Sequence, residues 1–294
     1  MGRFRDDGEL LRRAGIVTAD GQPTVAGLLA LGAHPQQWFP RYAIQAAVEP
    51  RDSDPPAVRA RNQITITGAI PRMLDEAMAW ARRSFDTTIS TSPSGAVRDV
   101  PDYPLDAFRE LVANALVHRD LDRWSAGYAV EIRVRRDRLV IDNPGGLYGI
   151  TVDRLGKDPF TSARNARLVS ICQYARSPLE GARVIEALAT GIPTVTAALE
   201  RAGLPPAHYV DSGIRFTVVL HRSLSPSRPT PVNRTESVVY EALGGGSRTV
   251  AELEAMLGLS GPNIRRALRA LRASGLVQLS GGRGRPTTYR ITLS

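Results

Sequence analysis

The sequence predicts an α+β body followed by a small, basic helical domain that ends in a hairpin. Three observations carry this. Strand-like and helix-like stretches are mixed before residue 222 without the regular βαβ alternation of a doubly wound sheet. A Pro/Ser-rich stretch, Arg222 to Arg234, breaks the periodicity as a linker does. Charge is also uneven: from Arg222 to Ser294 stand 11 arginines against 4 glutamates, a net +7, so the first 221 residues hold only +2 of the total +9. A basic folded segment points to an anionic polymer as partner.

The elements follow in order. Leu10, Leu11 and Val17 open an amphipathic segment, and Pro23 to Leu31 reads as a helix. Tyr42 to Val48 and Ile64 to Ile70 read as strands by their alternation. Pro71 starts a helix that places Met73, Leu74, Ala77, Met78 and Ala81 on one face. Residues 87–100 read as loop, and Leu105 to Arg119 as a strong helix. Tyr128 to Val134 and Arg138 to Asp142 read as paired strands. Pro144 to Asn165, with six glycines or prolines, reads as a long loop. Arg167 to Ala175 is helical, Arg183 to Ala202 holds one or two helices, and Ile214 to Leu220 is the last strand of the body.

Composition excludes several classes. At 43% hydrophobic and 23% charged, the chain is neither disordered nor fibrous. It has no apolar run of membrane-spanning length and no apolar signal segment. Cys172 is the only cysteine, which excludes an internal disulfide and a paired-cysteine zinc site. A reducing cytoplasm is the expected location. The only lysine, Lys157, lacks the Ser or Thr that follows it in a P-loop. None of the four histidines lies on a free amphipathic helix, which argues against a self-phosphorylating kinase.

The helix at 105–119 carries the chemistry. Leu105, Phe108, Leu111, Val112, Ala115 and Leu116 form its apolar face. Beside them, Asp106, Glu110, Asn114 and His118 stand four apart and therefore line one edge. A carboxamide oxygen suits Mg²⁺, which takes few protein ligands plus phosphate oxygens. A carboxylate one turn away can orient or deprotonate water. Asp142-Asn-Pro-Gly-Gly146 runs from a strand into a turn where backbone can approach a ligand closely, and Ala189-Thr-Gly-Ile192 precedes a helix N-terminus, where N–H groups favour anions.

In this order the three segments resemble the GHKL ATPases, the nucleotide-binding fold of gyrase, MutL and the histidine kinases. Glu110 to Asn114 is similar to the E-x-x-x-N box, Asp142 to Gly146 to the first glycine box, and Ala189 to Ile192 to the second. The resemblance is closer to bacterial transcriptional regulators related to Schlafen proteins. It lies in Thr24 to Gln36, in Tyr103 to Asp120 and in Phe160 to Leu168, and covers about residues 10–222. It implies a Bergerat-type α/β sandwich at 101–222, with residues 1–100 an α+β region packed on it. That family often has an upstream AlbA domain, so this chain is expected to be a shortened member or a fragment.

The resemblance implies ATP and Mg²⁺ as cofactors. Asn114 would hold the metal and Glu110 would position water. Asp142 or Asn143 would bond adenine in a pocket shaped by Gly145 and Gly146. Thr190 and Gly191 would lie near the nucleotide, and Arg164 would reach phosphate from a lid, 144–164, that orders on binding. His118 is either a phosphate-side donor or a satisfied helix-end histidine.

After the linker at 223–234, residues 235–294 have the size and order of a winged helix-turn-helix. Glu236 to Leu243 is a first helix. Thr249 and Glu252 make a capping box for the second, and Ser260 caps a third over 262–273. Leu276 to Leu279 and Thr288 to Leu293 form the wing. Asn263, Arg265, Arg266 and Arg269 on the third helix, with Arg283 and Arg285 at the wing tip, are the candidate contacts to double-stranded DNA. The whole reads as an ATP-binding transcriptional regulator with Mg-dependent ATPase activity as an open question and a homodimer as one allowed assembly. The alternatives are a nucleotide-binding scaffold whose tail docks protein, and an ATPase or kinase acting on a partner protein.

Overall fold

The computed structural model describes residues 6–91, 97–157, 162–185, 191–222, 234–273, 276–280 and 287–291. The chain divides into two compact units, Met1–Ser223 and Leu224–Ser294.

The first unit opens with helices α1 (Asp7–Arg13) and α2 (Val25–Leu31). Thr24 caps α2, its Oγ1 accepting from the Gly27 N–H at 3.0 Å and donating to the Gly15 carbonyl at 2.7 Å. A Cβ on Gly27 would overlap the Ile16 carbonyl, so glycine is required where α2 crosses that strand of backbone. Gln36 is buried and clasps two turns, donating to the carbonyls of Tyr42 (2.7 Å) and Gly68 (3.0 Å) and accepting from the Gly68 N–H (2.8 Å). The Thr24 to Gln36 phrase is therefore explained by packing and capping.

Strands β1 (Ile44–Val48) and β2 (Arg61–Ile66) lead to α3 (Ile70–Ser84), then to a hairpin of β3 (Thr87–Thr91) and β4 (Val97–Pro101), and to α4 (Leu105–Val117). After these come β5 (Val130–Val134), β6 (Arg138–Pro144), α5 (Ala166–Cys172), α6 (Gly191–Arg201), β7 (His208–Asp211) and β8 (Arg215–His221). The sheet runs β2-β1-β5-β6-β8-β7, with β1 and β5 parallel and every other pair antiparallel. It is thus a mixed sheet in a mixed α/β unit. It crosses residue 100, since β1 and β2 belong to the same sheet as β5 to β8.

Alternation along the strands sets one face against helices. Val130, Ile132 and Val134 of β5 and Leu139 and Ile141 of β6 are buried, while Arg133 is exposed. Helix α4 packs on that face and against α3 and α6. Phe85 links the layers, with edge-on ring contacts to Tyr103 at 5.3 Å and Phe108 at 5.2 Å. Each such buried aromatic or aliphatic side chain contributes up to about 1.5–3 kcal/mol.

Several boundaries differ from expectation. Residues 87–100, expected as loop, hold the β3–β4 hairpin, in which the two short strands satisfy each other's backbone by antiparallel pairing. The second strand lies at Arg61–Ile66 rather than 64–70, since Gly68, at φ +119°, turns the chain into α3. Between 183 and 202 the described helix is α6. Strand β7 has no signature in the sequence: its residues are largely exposed at the sheet edge and carry no apolar alternation.

The second unit holds α7 (Arg234–Ala242), α8 (Val250–Leu257), α9 (Gly261–Ala273) and a hairpin of β9 (Val277–Ser280) with β10 (Thr288–Ile291). The capping box forms: the Thr249 Oγ1 accepts from the Glu252 N–H at 3.2 Å, and the Glu252 carboxylate accepts from the Thr249 N–H at 2.6 Å. Val239, Leu253, Ile264, Leu268 and Leu271 form its core.

Candidate functional site

The polar edge of α4 meets a cavity of about 280 Å³. Glu110, Asn114 and His118 line it from α4, Ile141 and Asn143 from β6, Gly191 and Ile192 from α6, and Phe216 and Val218 from β8. The Asn114 Nδ2 donates to the Glu110 Oε1 at 3.2 Å, which leaves the carboxamide oxygen free of that bond. Asp106, on the same stripe, instead pairs at the surface with Arg201 of α6 at 2.6 Å.

Gly191 begins α6 beside that pair. A Cβ there would overlap the Glu110 carboxylate and stand 3.0 Å from the Asn114 Nδ2, so only glycine lets the helix start so close. The second glycine segment and the α4 carboxylate–carboxamide pair are thereby brought together. Thr190 lies outside the described residues.

The alternation of β6 separates the two candidates for the base contact. Leu139, Ile141 and Asn143 share the helix-covered face, and Asn143 is 7% exposed. Its Oδ1 is buried without a hydrogen-bond partner, and the residue lines the cavity. Asp142 points to the other face, where its carboxylate accepts from the Thr217 hydroxyl of β8. Asp142 is therefore outside the cavity.

Beyond β6 the two glycines act through close approach. Gly145 has φ +93°, and a Cβ on it would come within 2.6 Å of the Asp120 Cβ. Gly146 lines the cavity, and its N–H donates to the Gly213 carbonyl at 2.8 Å. Both N–H groups are spent on the β8 side, since that of Gly145 donates to the Ile214 carbonyl at 2.9 Å.

Arg164 is held at the cavity margin rather than extended into it. It pairs with the nearly buried Asp120, donates to the Gly146 carbonyl at 2.8 Å and lies over the Tyr148 ring at 5.4 Å. His118, the residue that ends α4, is pushed toward its neutral form by burial and then by the charge of Arg164. A neutral imidazole there keeps one donor and one acceptor.

Sequence reasoning missed the clasp that fixes this helix end. Arg119 is 3% exposed, donates to the carbonyls of Arg41 (2.8 Å), Ser125 (3.3 Å) and Tyr128, and lies over the Tyr42 ring. Asp120 accepts from the Asp122 N–H at 2.7 Å as well as from Arg164. Asn165 donates to the carbonyls of Val117 (3.0 Å) and Arg119 (2.7 Å), satisfying acceptors that a helix end leaves open. The signal was the His-Arg-Asp run closing α4 together with Arg164-Asn165.

In the second unit, α9 buries Ile264, Ala267, Leu268 and Leu271 and exposes Asn263, Arg265, Arg266 and Arg269. The wing-tip residues Arg283 and Arg285 lie outside the described residues. Among the described residues no helix is long and apolar enough to cross a membrane, and no cluster of three or more His, Cys, Asp or Glu could hold a metal ion.

Comparison with known proteins gives two family matches. Residues 127–220 match the family described as "Putative ATP-dependent DNA helicase recG C-terminal", and residues 240–278 match the bacterial regulatory protein, arsR family. The chain thus joins an ATPase-like region to a helix-turn-helix region of regulator type. No curated protein matches it. Among solved structures it is similar to the DIP2311 protein from Corynebacterium diphtheriae, at 18% identity and a TM-score of 0.54. The match covers 98% of this chain and 64% of that one, and it speaks to fold alone.

Proposed function

We propose that the chain is an ATP-binding DNA-binding regulator, with a GHKL-like first unit of the Schlafen-related regulator type and a winged-helix second unit. The observation that supports it most is the convergence of Glu110, Asn114, Asn143 and Gly191 on one cavity. The buried, unpartnered Asn143 Oδ1 suits an exocyclic amine such as adenine's. The space that Gly191 keeps open beside Asn114 and Glu110 suits a phosphate chain at a helix start. Asn114 would hold Mg²⁺, which fits a site with few protein ligands and supplies neutralisation of phosphate charge. Glu110 would orient and deprotonate water.

Titration calorimetry of the intact chain with Mg-ATP tests this. Asn114→Ala is expected to weaken binding about tenfold or more, at roughly 1.4 kcal/mol for each factor of ten. Glu110→Gln should leave binding near wild type and lower any hydrolysis. Absence of binding at millimolar nucleotide defeats the reading.

For the second unit, Asn263 and Arg265 stand near the N-terminal end of α9, the part of a recognition helix that reaches base edges in the major groove. Arg266 and Arg269 suit phosphates. Arg265→Ala should cost roughly 1–3 kcal/mol and relax preference at one base position. Arg269→Ala should weaken all sequences alike and lower the salt slope by about one phosphate's worth. Gel shifts over a salt series check both, and flat salt dependence would favour a protein-docking role for the tail.

A further inference from the structure

A second cavity, of about 400 Å³, lies at the other end of β6, where β1 and β5 finish and β8 leaves the sheet. Tyr103, Asp102 and Arg222 line it. Tyr103 is 1% exposed, and its hydroxyl has no hydrogen-bond partner. Tyr103 lines the cavity together with Asp102, Asp86 and Arg222, and burial pushes its phenol up. The Asp102 carboxylate is nearly buried and is bonded by the Arg222 guanidinium, which also lies 3.5 Å from Asp86. Arg222 is the last described residue before the linker.

The rim has its own pattern. Arg51 pairs with Asp86, and Arg136 with Asp52. Glu49 and Arg135, which also line the cavity, have no ion pair among the described residues. They are neighbours: Val48 and Val134 are register partners, and the Glu49 N–H donates to the Val134 carbonyl at 2.8 Å. The cavity therefore joins an acidic pair already fitted to a guanidinium, a buried phenol without a partner, and one unpaired charge of each sign. A guanidinium carries five donors, enough to serve two carboxylates and a phenol oxygen together.

We propose that this cavity binds a free amino acid with a guanidinium side chain, which replaces Arg222 on Asp102 while its α-ammonium and α-carboxylate pair with Glu49 and Arg135. Ligand and chain then compete for one carboxylate, and binding is coupled to the position of Arg222 at the start of the linker. Arg222 competes as an intramolecular ligand, so the intact chain should bind more weakly than a chain without that side chain.

The test uses the full chain, with L-arginine as probe, agmatine as the analogue lacking the carboxylate and citrulline as the analogue lacking the charged group. Calorimetry at matched ionic strength should show millimolar L-arginine binding to the wild type. Agmatine should bind several-fold more weakly, and citrulline should not bind. Arg222→Ala vacates the seat and should tighten L-arginine binding about tenfold. Asp102→Asn added to Arg222→Ala should remove that gain. Equal affinity in wild type and Arg222→Ala overturns the proposal, as does agmatine binding as tightly as L-arginine. Binding seen only in Arg222→Ala also overturns it, because Arg222 would then be a permanent occupant.

Discussion

Replacing Asp120 by alanine is expected to destabilise the first unit by about 3–5 kcal/mol, the usual cost of leaving one partner of a buried ion pair alone. Asp120 has a side chain 4% exposed, and its partner Arg164 is 19% exposed, so water screens the pair little. The substitution strands the Arg164 guanidinium, whose Nε is already buried without a partner. It also removes the acceptor for the Asp122 N–H. For a unit of this size the midpoint of thermal unfolding should fall by roughly 2–4 °C per kcal/mol. Calorimetric unfolding checks it, and a loss below about 1 kcal/mol would mean that the pair is solvated in solution.

Gly145→Ala should also have a large effect, through the same clasp from its other side. A residue with a Cβ at φ +93° costs of order 1–3 kcal/mol in backbone strain alone. Here the added methyl also meets the Asp120 Cβ at 2.6 Å, a contact that something must move to relieve. Forcing an extra methyl into packed surroundings typically adds 1–3 kcal/mol. The Asp120 N–H donates to the Pro144 carbonyl at 3.1 Å, so the movement would pull on the end of β6 beside Asn143. Denaturant midpoints for Gly145→Ala and Gly181→Ala make the comparison. Gly181 also has a positive φ (+67°) but meets nothing within 4 Å, so it should lose only the strain part.

Much of this arrangement was legible in the sequence, and most of the rest depends on packing between segments distant in sequence. The four-residue spacing of Glu110, Asn114 and His118 predicts one helix edge, and the structure puts all three on the cavity. The same spacing puts Asp106 on that edge, yet one further turn carries it out to Arg201. Period alone does not say where a cavity stops. The acidic position of the first glycine segment stayed open between Asp142 and Asn143, because neighbours on a strand face opposite ways and only the packing of α4 decides which face is inside. The roles of Arg119, Asp120 and Asn165 depend on contacts 6 to 78 residues apart in sequence, such as Arg119 to the Arg41 carbonyl and Asn165 to the Val117 carbonyl. Asn165 satisfies the end of α4 at the Val117 carbonyl, while Arg119 ties that end to the carbonyls of Arg41, Ser125 and Tyr128. The β3–β4 hairpin was hidden for a simpler reason: Thr88, Ile89 and Val100 stay exposed on both faces, so no buried alternation marks it.

In the proposed function, the cavity between α4, β6 and α6 takes the base of a nucleotide against Asn143. The direct measurement is calorimetric titration of Mg-ATP into the wild type, Asp142→Asn and Asn143→Leu. Asp142 faces Thr217 on the far side of the sheet, so Asp142→Asn should bind as the wild type does. Asn143→Leu removes the open acceptor and should lower affinity by about 1–3 kcal/mol, a factor of roughly 5 to 150. Retained affinity in Asn143→Leu with loss in Asp142→Asn, or no binding by any of the three proteins, would rule out a base seated on Asn143.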